Sequence, residues 1–202
     1  MKKAFLITTM VLLVTLVSAQ ERIKEAGLSF YSLNGFGLNY KVGTPVSLWR
    51  LNSMYTSGYN LRETNGSIQT DRKRFGVQFR AGREFRKSIA DDLEFRYGVD
   101  LSFSYDRSKF DSKNTDTDAR LSLEKRTEFA PGIDAVLGLN YLIREKIVIG
   151  AELLPGFSYR SAKTENLNVF NNETYEVKNS GFNFDISSSS VLLVIAYRFK
   201  AL

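Results

Sequence analysis

Repeated alternation of apolar and polar residues is the feature of this sequence that most limits what it can fold into. Over residues 93–105, Leu, Phe, Tyr and Val occupy the odd positions, whereas Glu, Arg, Gly, Asp and Ser occupy the even ones. The pattern recurs over residues 75–85, 129–141 and 149–159. A period of two residues is that of a β-strand with two different faces. The sequence therefore predicts an all-β fold.

Weaker alternation and short apolar segments bring the number of predicted strands to eight. The predicted strands are residues 26–33, 36–42, 49–55, 75–85, 93–105, 129–141, 149–159 and 182–199. An Asn34-Gly35 step predicts a hairpin between the first two strands. The last strand changes phase along its length, which predicts a β-bulge near residues 187–190.

The connections between the predicted strands fall into a short group and a long group. Those at Gly43–Pro45, Lys87–Asp92 and Arg144–Lys146 are short. Three others are long and polar, namely Asn60–Thr70, Asp106–Asp118 and Ser161–Ser180. Short turns at one end, long loops at the other and an even strand number are typical of outer-membrane barrels. The expected fold is an eight-stranded antiparallel up-and-down transmembrane β-barrel.

The N-terminal segment is predicted to be a cleavable signal peptide. Two lysines precede an apolar stretch from Ala4 to Val17, and small residues at Ser18 and Ala19 fit a cleavage site. We expect residues 1–19 to be the signal peptide and residues 20–202 to form the barrel. The longest later apolar run, Val191–Tyr197, is far shorter than the roughly 18 residues of a membrane-spanning helix.

Composition excludes several classes of function. The chain has no cysteine and no histidine, so no disulfide, lipid-anchored cysteine or histidine-dependent catalysis is possible. Its net charge of +6 comes from interleaved acidic and basic residues, which argues against nucleic-acid binding. Carboxylates at alternate positions of Asp111–Asp118 resemble a calcium loop only weakly, without its Gly and later Glu. We predict no catalytic residue, no metal and no cofactor.

The apolar face of the strands is predicted to contact lipid, because an eight-stranded barrel has an interior that its side chains just fill. The many Phe, Tyr and Leu side chains would overfill that space, whereas glycines and short polar residues fit it. The predicted lipid-facing residues are Phe79, Tyr97, Val99, Leu101, Leu137, Leu153, Leu193 and Ile195. Aromatic belts are expected at both strand ends, with Phe85, Tyr141, Tyr197 and Phe199 at the short-turn end and Tyr59, Phe75, Tyr105 and Tyr159 at the other.

Acidic and basic residues on the polar face roughly balance one another. Buried charges persist only when they are paired, so the interior is predicted to be plugged by ion pairs. The predicted interior charge network comprises Arg50, Arg80, Glu84, Arg86, Glu94, Arg96, Asp100, Glu128, Asp134, Glu152, Arg160 and Arg198.

With these features and the terminal Ala196-Tyr197-Arg198-Phe199 in view, the chain resembles the small outer-membrane β-barrel domain proteins of Gram-negative bacteria. It looks like the membrane domain of outer membrane protein A in architecture, and similar proteins are often described as porin-like. Unlike members that end on the terminal Phe, this chain continues with residues 200–202. The resemblance implies an outer-membrane location, contact with membrane lipid and lipopolysaccharide, and recognition by the barrel-insertion machinery.

Four functions remain open from the sequence. The first is a structural or surface-interaction barrel, with a possible extracellular partner at residues 106–118 and 161–180. The second is a narrow porin-like channel for small solutes, against which interior charge pairing argues. The third is a barrel enzyme acting on lipids, which the missing histidine disfavours. The fourth is a soluble periplasmic ligand-binding barrel, which would need its apolar residues inside.

Overall fold

The computed structural model describes residues 22–32, 35–168, 173–185 and 191–200. Within these ranges the chain forms only β-strands and their connections. The strands are β1 (Ile23–Ser32), β2 (Gly35–Thr44), β3 (Ser47–Asn65), β4 (Ile68–Ala90), β5 (Leu93–Asn114), β6 (Arg120–Ile143), β7 (Ile147–Leu153), β8 (Gly156–Asn168), β9 (Glu173–Asp185) and β10 (Val191–Lys200). The predicted signal peptide, the turn at residues 33–34 and the expected bulge at residues 187–190 lie outside the described residues.

All the strand pairings are antiparallel, and eight of the strands form a closed ring of pairings. Strands β1 to β6 pair in chain order, β6 pairs with β7, β7 with β10, and β10 with β1. Beyond β7, β6 pairs with β8, and β8 pairs with β9. The register gives the inner parts of β1–β7 and of β10 one buried and one exposed face, as in β7, where burial alternates at every residue. The predicted all-β fold is therefore confirmed.

Ten strands are described where the sequence predicts eight, because two predicted strands are each divided. Leu154 and Pro155 separate β7 from β8, and proline has no N–H to donate to a ladder. The Pro155 carbonyl still accepts a hydrogen bond from the Ala135 amide at 2.9 Å. Residues 186–190, between β9 and β10, lie outside the described part of the chain.

The prediction of long polar loops is wrong. Residues 60–70 and 106–118 lie mostly in strands that continue to turns at residues 66–67 and 115–119. The described residues of the third predicted loop, 161–168 and 173–180, also lie in strands. In these extensions both faces are mostly polar, so the alternation that identified strands is lost although backbone pairing continues. Opposite charges across the ladder, such as Arg62 and Asp71 at 2.7 Å, stabilise these extensions. Hereafter these outer parts of β3–β4, β5–β6 and β8–β9 are called the projecting hairpins.

The connection between β6 and β7 supports a stability prediction. Arg144 and Glu145 both have left-handed φ angles, 51° and 59°, which suit Asn and Gly far better than other residues. Replacing Arg144 with Asn and Glu145 with Gly is expected to raise the free energy of unfolding by about 1 kcal/mol, measured by urea unfolding in detergent micelles. The same pair placed at Asp91 and Asp92, which have no left-handed φ, should give no gain. A gain at both turns, or at neither, would contradict this explanation.

Candidate functional site

The buried face of the strands holds a continuous cluster of charged side chains, and Glu84 on β4 lies at its centre. Its carboxylate accepts hydrogen bonds from Lys41 Nζ at 2.7 Å, Arg50 Nη1 at 3.1 Å and Arg86 Nε at 2.6 Å. Glu84 and its three partners come from strands β2, β3 and β4, and all are buried. One carboxylate therefore joins cations from three neighbouring strands.

Glu152 on β7 forms the second centre of the cluster. Its carboxylate lies 2.6 Å from Arg50 Nη2, 2.8 Å from Arg96 Nη1 and 3.6 Å from Lys41 Nζ. Arg50 reaches a third carboxylate, because its Nε lies 3.1 Å from Asp100. Ion pairs therefore connect β7 to strands on the opposite side of the closed set of pairings.

Glycines make room for the Arg96 side chain, which is fully buried. A Cβ atom at Gly138 would lie 2.8 Å from Arg96 Nε, and one at Gly150 would lie 2.6 Å from Arg96 Nη2 and 2.6 Å from Asn140 Oδ1. Real Cβ atoms do not approach other atoms so closely. These glycines are therefore part of the site, since any larger residue would displace the guanidinium.

Three further charged residues, Glu25, Glu94 and Arg198, close the short-turn end of the cluster with Arg86. Arg86 donates to both oxygens of Glu25 at 2.7 Å and to Glu94 at 3.3 Å. Arg198 on β10 donates to Glu25 at 2.8 Å and to Glu94 at 2.9 Å. The first and last strands are therefore linked by side-chain ion pairs as well as by their ladder.

At the other end of the cluster, Arg80 Nε donates to Asp134 at 2.8 Å. Beyond the central ion pairs, Met54, Val136, Leu154 and Leu192 pack into a small apolar cluster with Tyr31 against it. Buried cations and carboxylates match in number. Hereafter the charge network means Lys41, Arg50, Arg80, Arg86, Arg96 and Arg198 with Glu25, Glu84, Glu94, Asp100, Asp134 and Glu152.

Two residues predicted to belong to the network, Glu128 and Arg160, lie outside it. Arg160 lies 2.9 Å from Glu128, and Arg126 lies 2.7 Å from the same carboxylate, near the projecting hairpins. Half of the Arg160 side chain is exposed. A polar cavity of about 120 Å³, lined by Arg80, Asp134 and Arg160 among others, lies between this group and the network.

Sequence reasoning missed Glu25 and Lys41, although both are almost completely buried. Lys41 shares the polar face of β2 with Gly37 and Asn39, so the alternation of this strand could have placed Lys41 in the interior. Glu25 precedes residue 26, where the first strand was predicted to begin, and β1 in fact starts at Ile23.

The predicted lipid-facing residues all lie on the exposed face, from Leu153 at 38% to Leu101 at 65% of the residue's accessible area. Many other large apolar side chains share this face, including Phe182 and Phe184 on β9. Tyr59 is an exception to the expected belts, because it lines a polar cavity with Arg74, Arg126 and Arg160. A shift in the β3–β4 register between Tyr55 and Ser57 moves it to the other face.

The weakly calcium-like segment has its carboxylates engaged separately. Asp111 pairs with Arg120 at 3.0 Å, Asp118 pairs with Lys113 at 3.1 Å, and Asp116 accepts a hydrogen bond from Ser67. In the part of the chain that the structure describes, no group of three or more acidic residues is arranged to hold a metal ion. The same residues include no helix long and apolar enough to cross a membrane.

Ion pairs also set the electrostatics of the projecting hairpins. Hydrogen bonds from Arg62 hold the pKa of the Asp71 carboxyl below its usual value. Hydrogen bonds to Glu176 and Glu165 raise the pKa of Lys163. These charges are therefore committed to partners on the same or the neighbouring strand.

Comparison with known proteins relates this fold to outer membrane proteins. No protein-family model matches the chain, and no curated protein matches it in sequence. A major outer membrane protein from Thermus thermophilus is similar in structure, with a TM-score of 0.55 and 9% identity over 88% of this chain and 99% of that one. The ferric yersiniabactin uptake receptor FyuA from Yersinia pestis has a TM-score of 0.50 and 12% identity over 80% of this chain. This chain spans only 25% of that receptor's length. The all-β antiparallel fold is thus one that outer membrane proteins share.

Proposed function

We propose that this protein is an integral outer-membrane β-barrel with a structural or surface-interaction role, whose interior is plugged by ion pairs. The observation that carries the proposal is the polarity of the strands: charged residues such as Glu84 and Arg96 are buried, whereas Leu101 and Phe79 are exposed. A water-soluble barrel has the opposite arrangement, because burial of apolar surface stabilises it. Lipid is the solvent in which an apolar exposed face is stable.

The height of the exposed apolar face supports the proposal. On β5 it runs from Phe95 to Tyr105, about 33 Å along the strand at about 3.3 Å per residue. A strand tilted by about 40° would cover about 25 Å of bilayer, which is the height of the apolar band in outer-membrane barrels. Pairs of aromatic rings at either end, such as Phe85 with Tyr97 and Tyr105 with Phe129, suit the two membrane interfaces.

The interior argues against a channel. Ion pairs from Glu152 to Arg50 and Arg96 cross the space between strands. The apolar cluster around Val136 and Leu192 forms a further layer above them. Water and ions would have to break both layers to pass.

The projecting hairpins are the part of the barrel that we assign to surface interactions. Pairing of β3 with β2 ends at Met54, whereas pairing with β4 continues to Asn65. Within the described ranges, the outer part of β3 and the whole of β9 therefore pair on one side only. Such edges present free backbone donors and acceptors to an added strand. Short turns lie on the periplasmic side of outer-membrane barrels, so these edges would face the cell exterior.

Cell fractionation followed by gel migration with and without boiling tests the proposal. We expect the protein in the outer-membrane fraction, with a band that shifts on boiling because a closed barrel resists detergent until heated. In planar bilayers we expect no steady conductance, and R96A/E152A, which removes one cation and one anion together, should conduct more. A soluble periplasmic protein would overturn the membrane assignment, and steady conductance of the unaltered protein would overturn the plugged interior.

A further inference from the structure

A row of basic side chains crosses three strands on the exposed face of the projecting hairpins. Lys73 on β4 lies directly opposite Lys109 on β5, and Lys109 lies directly opposite Lys125 on β6. Arg107, two residues from Lys109, lies on the same face opposite Phe75. Directly opposed like charges destabilise a sheet, so this arrangement is costly unless an anion lies over it.

These four residues, hereafter the cationic row, have three carboxylates beside them, and each carboxylate also pairs with a cation outside the row. Glu165 on β8 lies directly opposite Lys125 but 3.1 Å from Lys163. Asp71, two residues from Lys73, lies 2.7 Å from Arg62. Lys109 lies 2.8 Å from Asp111, but Asp111 also pairs with Arg120 at 3.0 Å. Among the residues that the structure describes, Lys73, Arg107 and Lys125 form no ion pair with a carboxylate. The row therefore carries a local excess of positive charge on an open surface.

The cationic row also borders a shallow cavity. Its four residues and Phe75 help to line a depression of about 270 Å³. Space of this size accommodates a phosphate group and part of a sugar, and basic side chains on three sides supply charge-assisted hydrogen bonds.

The position of the cationic row relative to the apolar face indicates a lipid headgroup as the ligand. The rings of Tyr105 and Phe129 lie 5.2 Å apart. Tyr105 is two residues from Arg107 along β5, and Phe129 is two residues from Thr127 along β6. Two residues along a strand span about 7 Å. The row therefore lies just above the last aromatic residues of the apolar band, at the height of lipid headgroups.

We propose that the cationic row binds the phosphate of a phosphorylated saccharide lipid in the outer leaflet, with the lipid's acyl chains against the aromatic residues below. This inference rests on the proposed membrane location. It assigns a partner to one face of the projecting hairpins, which the proposed function leaves open.

The test measures binding of lipid A to the refolded protein in nanodiscs, by native mass spectrometry. K73Q/K109Q/K125Q is compared with R72Q/K113Q/K178Q, which removes the same charge from other positions of the projecting hairpins. Each basic residue near an anionic surface contributes roughly fivefold to affinity, so the first variant should bind about 100-fold more weakly. The control variant should bind like the unaltered protein, and K73R/K109R/K125R should retain binding.

Three results would overturn the inference. Equal weakening in both glutamine variants would mean unspecific attraction, and equal binding of dephosphorylated lipid A would exclude the phosphate. Inorganic phosphate that displaces lipid A at similar concentration would mean a free-anion site. Heat-dependent gel migration is recorded for each protein, so that insertion without phosphate dependence refutes this inference alone, whereas failure to insert refutes the proposed function.

Discussion

Replacing Glu84 with leucine is expected to lower the free energy of unfolding by about 3–5 kcal/mol, because it leaves buried cations without their shared carboxylate. Lys41, Arg50 and Arg86 all donate to Glu84 within 3.1 Å. The loss should appear as a lower urea midpoint in detergent micelles and as a lower temperature for the shift in gel migration.

Two controls separate this effect from loss of charge in general. The change Asp71→Asn breaks an ion pair with Arg62 on the exposed hairpin and should leave the midpoint unchanged, since exposed pairs contribute little. The double change K41M/E84L removes one cation together with the carboxylate and should cost less than Glu84→Leu alone. A double variant no more stable than the single one would show that the shape of the site, and not charge balance, determines stability.

Replacing Leu101 with arginine should destabilise the protein by about 2–4 kcal/mol, the cost of a charge at the bilayer midplane. Leu101 is one of the most exposed leucines, with 65% of its accessible area free. In water, an exposed leucine tolerates arginine with little change in stability. The expected cost therefore comes from lipid alone, and it is measured by unfolding from lipid vesicles.

Leu121 provides the matched control. It is 40% exposed near the start of β6, on a projecting hairpin beyond the apolar band. The change Leu121→Arg should leave stability in vesicles unchanged. Equal effects at both positions, whether large or absent, would contradict an apolar band that ends between them.

Period-two alternation allowed most of the inner half of the fold to be predicted, because one face of each strand there is charged or small and the other is apolar. Arg96 and Asp100 on one face, with Tyr97 and Leu101 on the other, illustrate the pattern. The projecting hairpins could not be predicted this way. Their strands are mostly polar on both faces, as at Lys109 and Ser108, and backbone pairing leaves no mark on composition.

The geometry of the charge network could not be predicted from the sequence either. Alternation predicts that Glu84 and Glu152 share an interior, but not that Arg50 reaches both, since strand register decides that contact. The apolar cluster at Val136 and Leu192 was missed for a related reason. Apolar residues on the polar face look like breaks in the pattern until the register brings them together.

Fluorescence of Trp49 in bilayers tests the central claim, that the exposed apolar face lies in lipid. Trp49 is the chain's single tryptophan, 59% exposed and close to the short turn between β2 and β3. We predict quenching by brominated lipids, stronger with bromine near the headgroup than near the bilayer centre, and the reverse order for W49F/L101W. Emission typical of hydrated indole and unaffected by brominated lipid, in both proteins, would contradict the account.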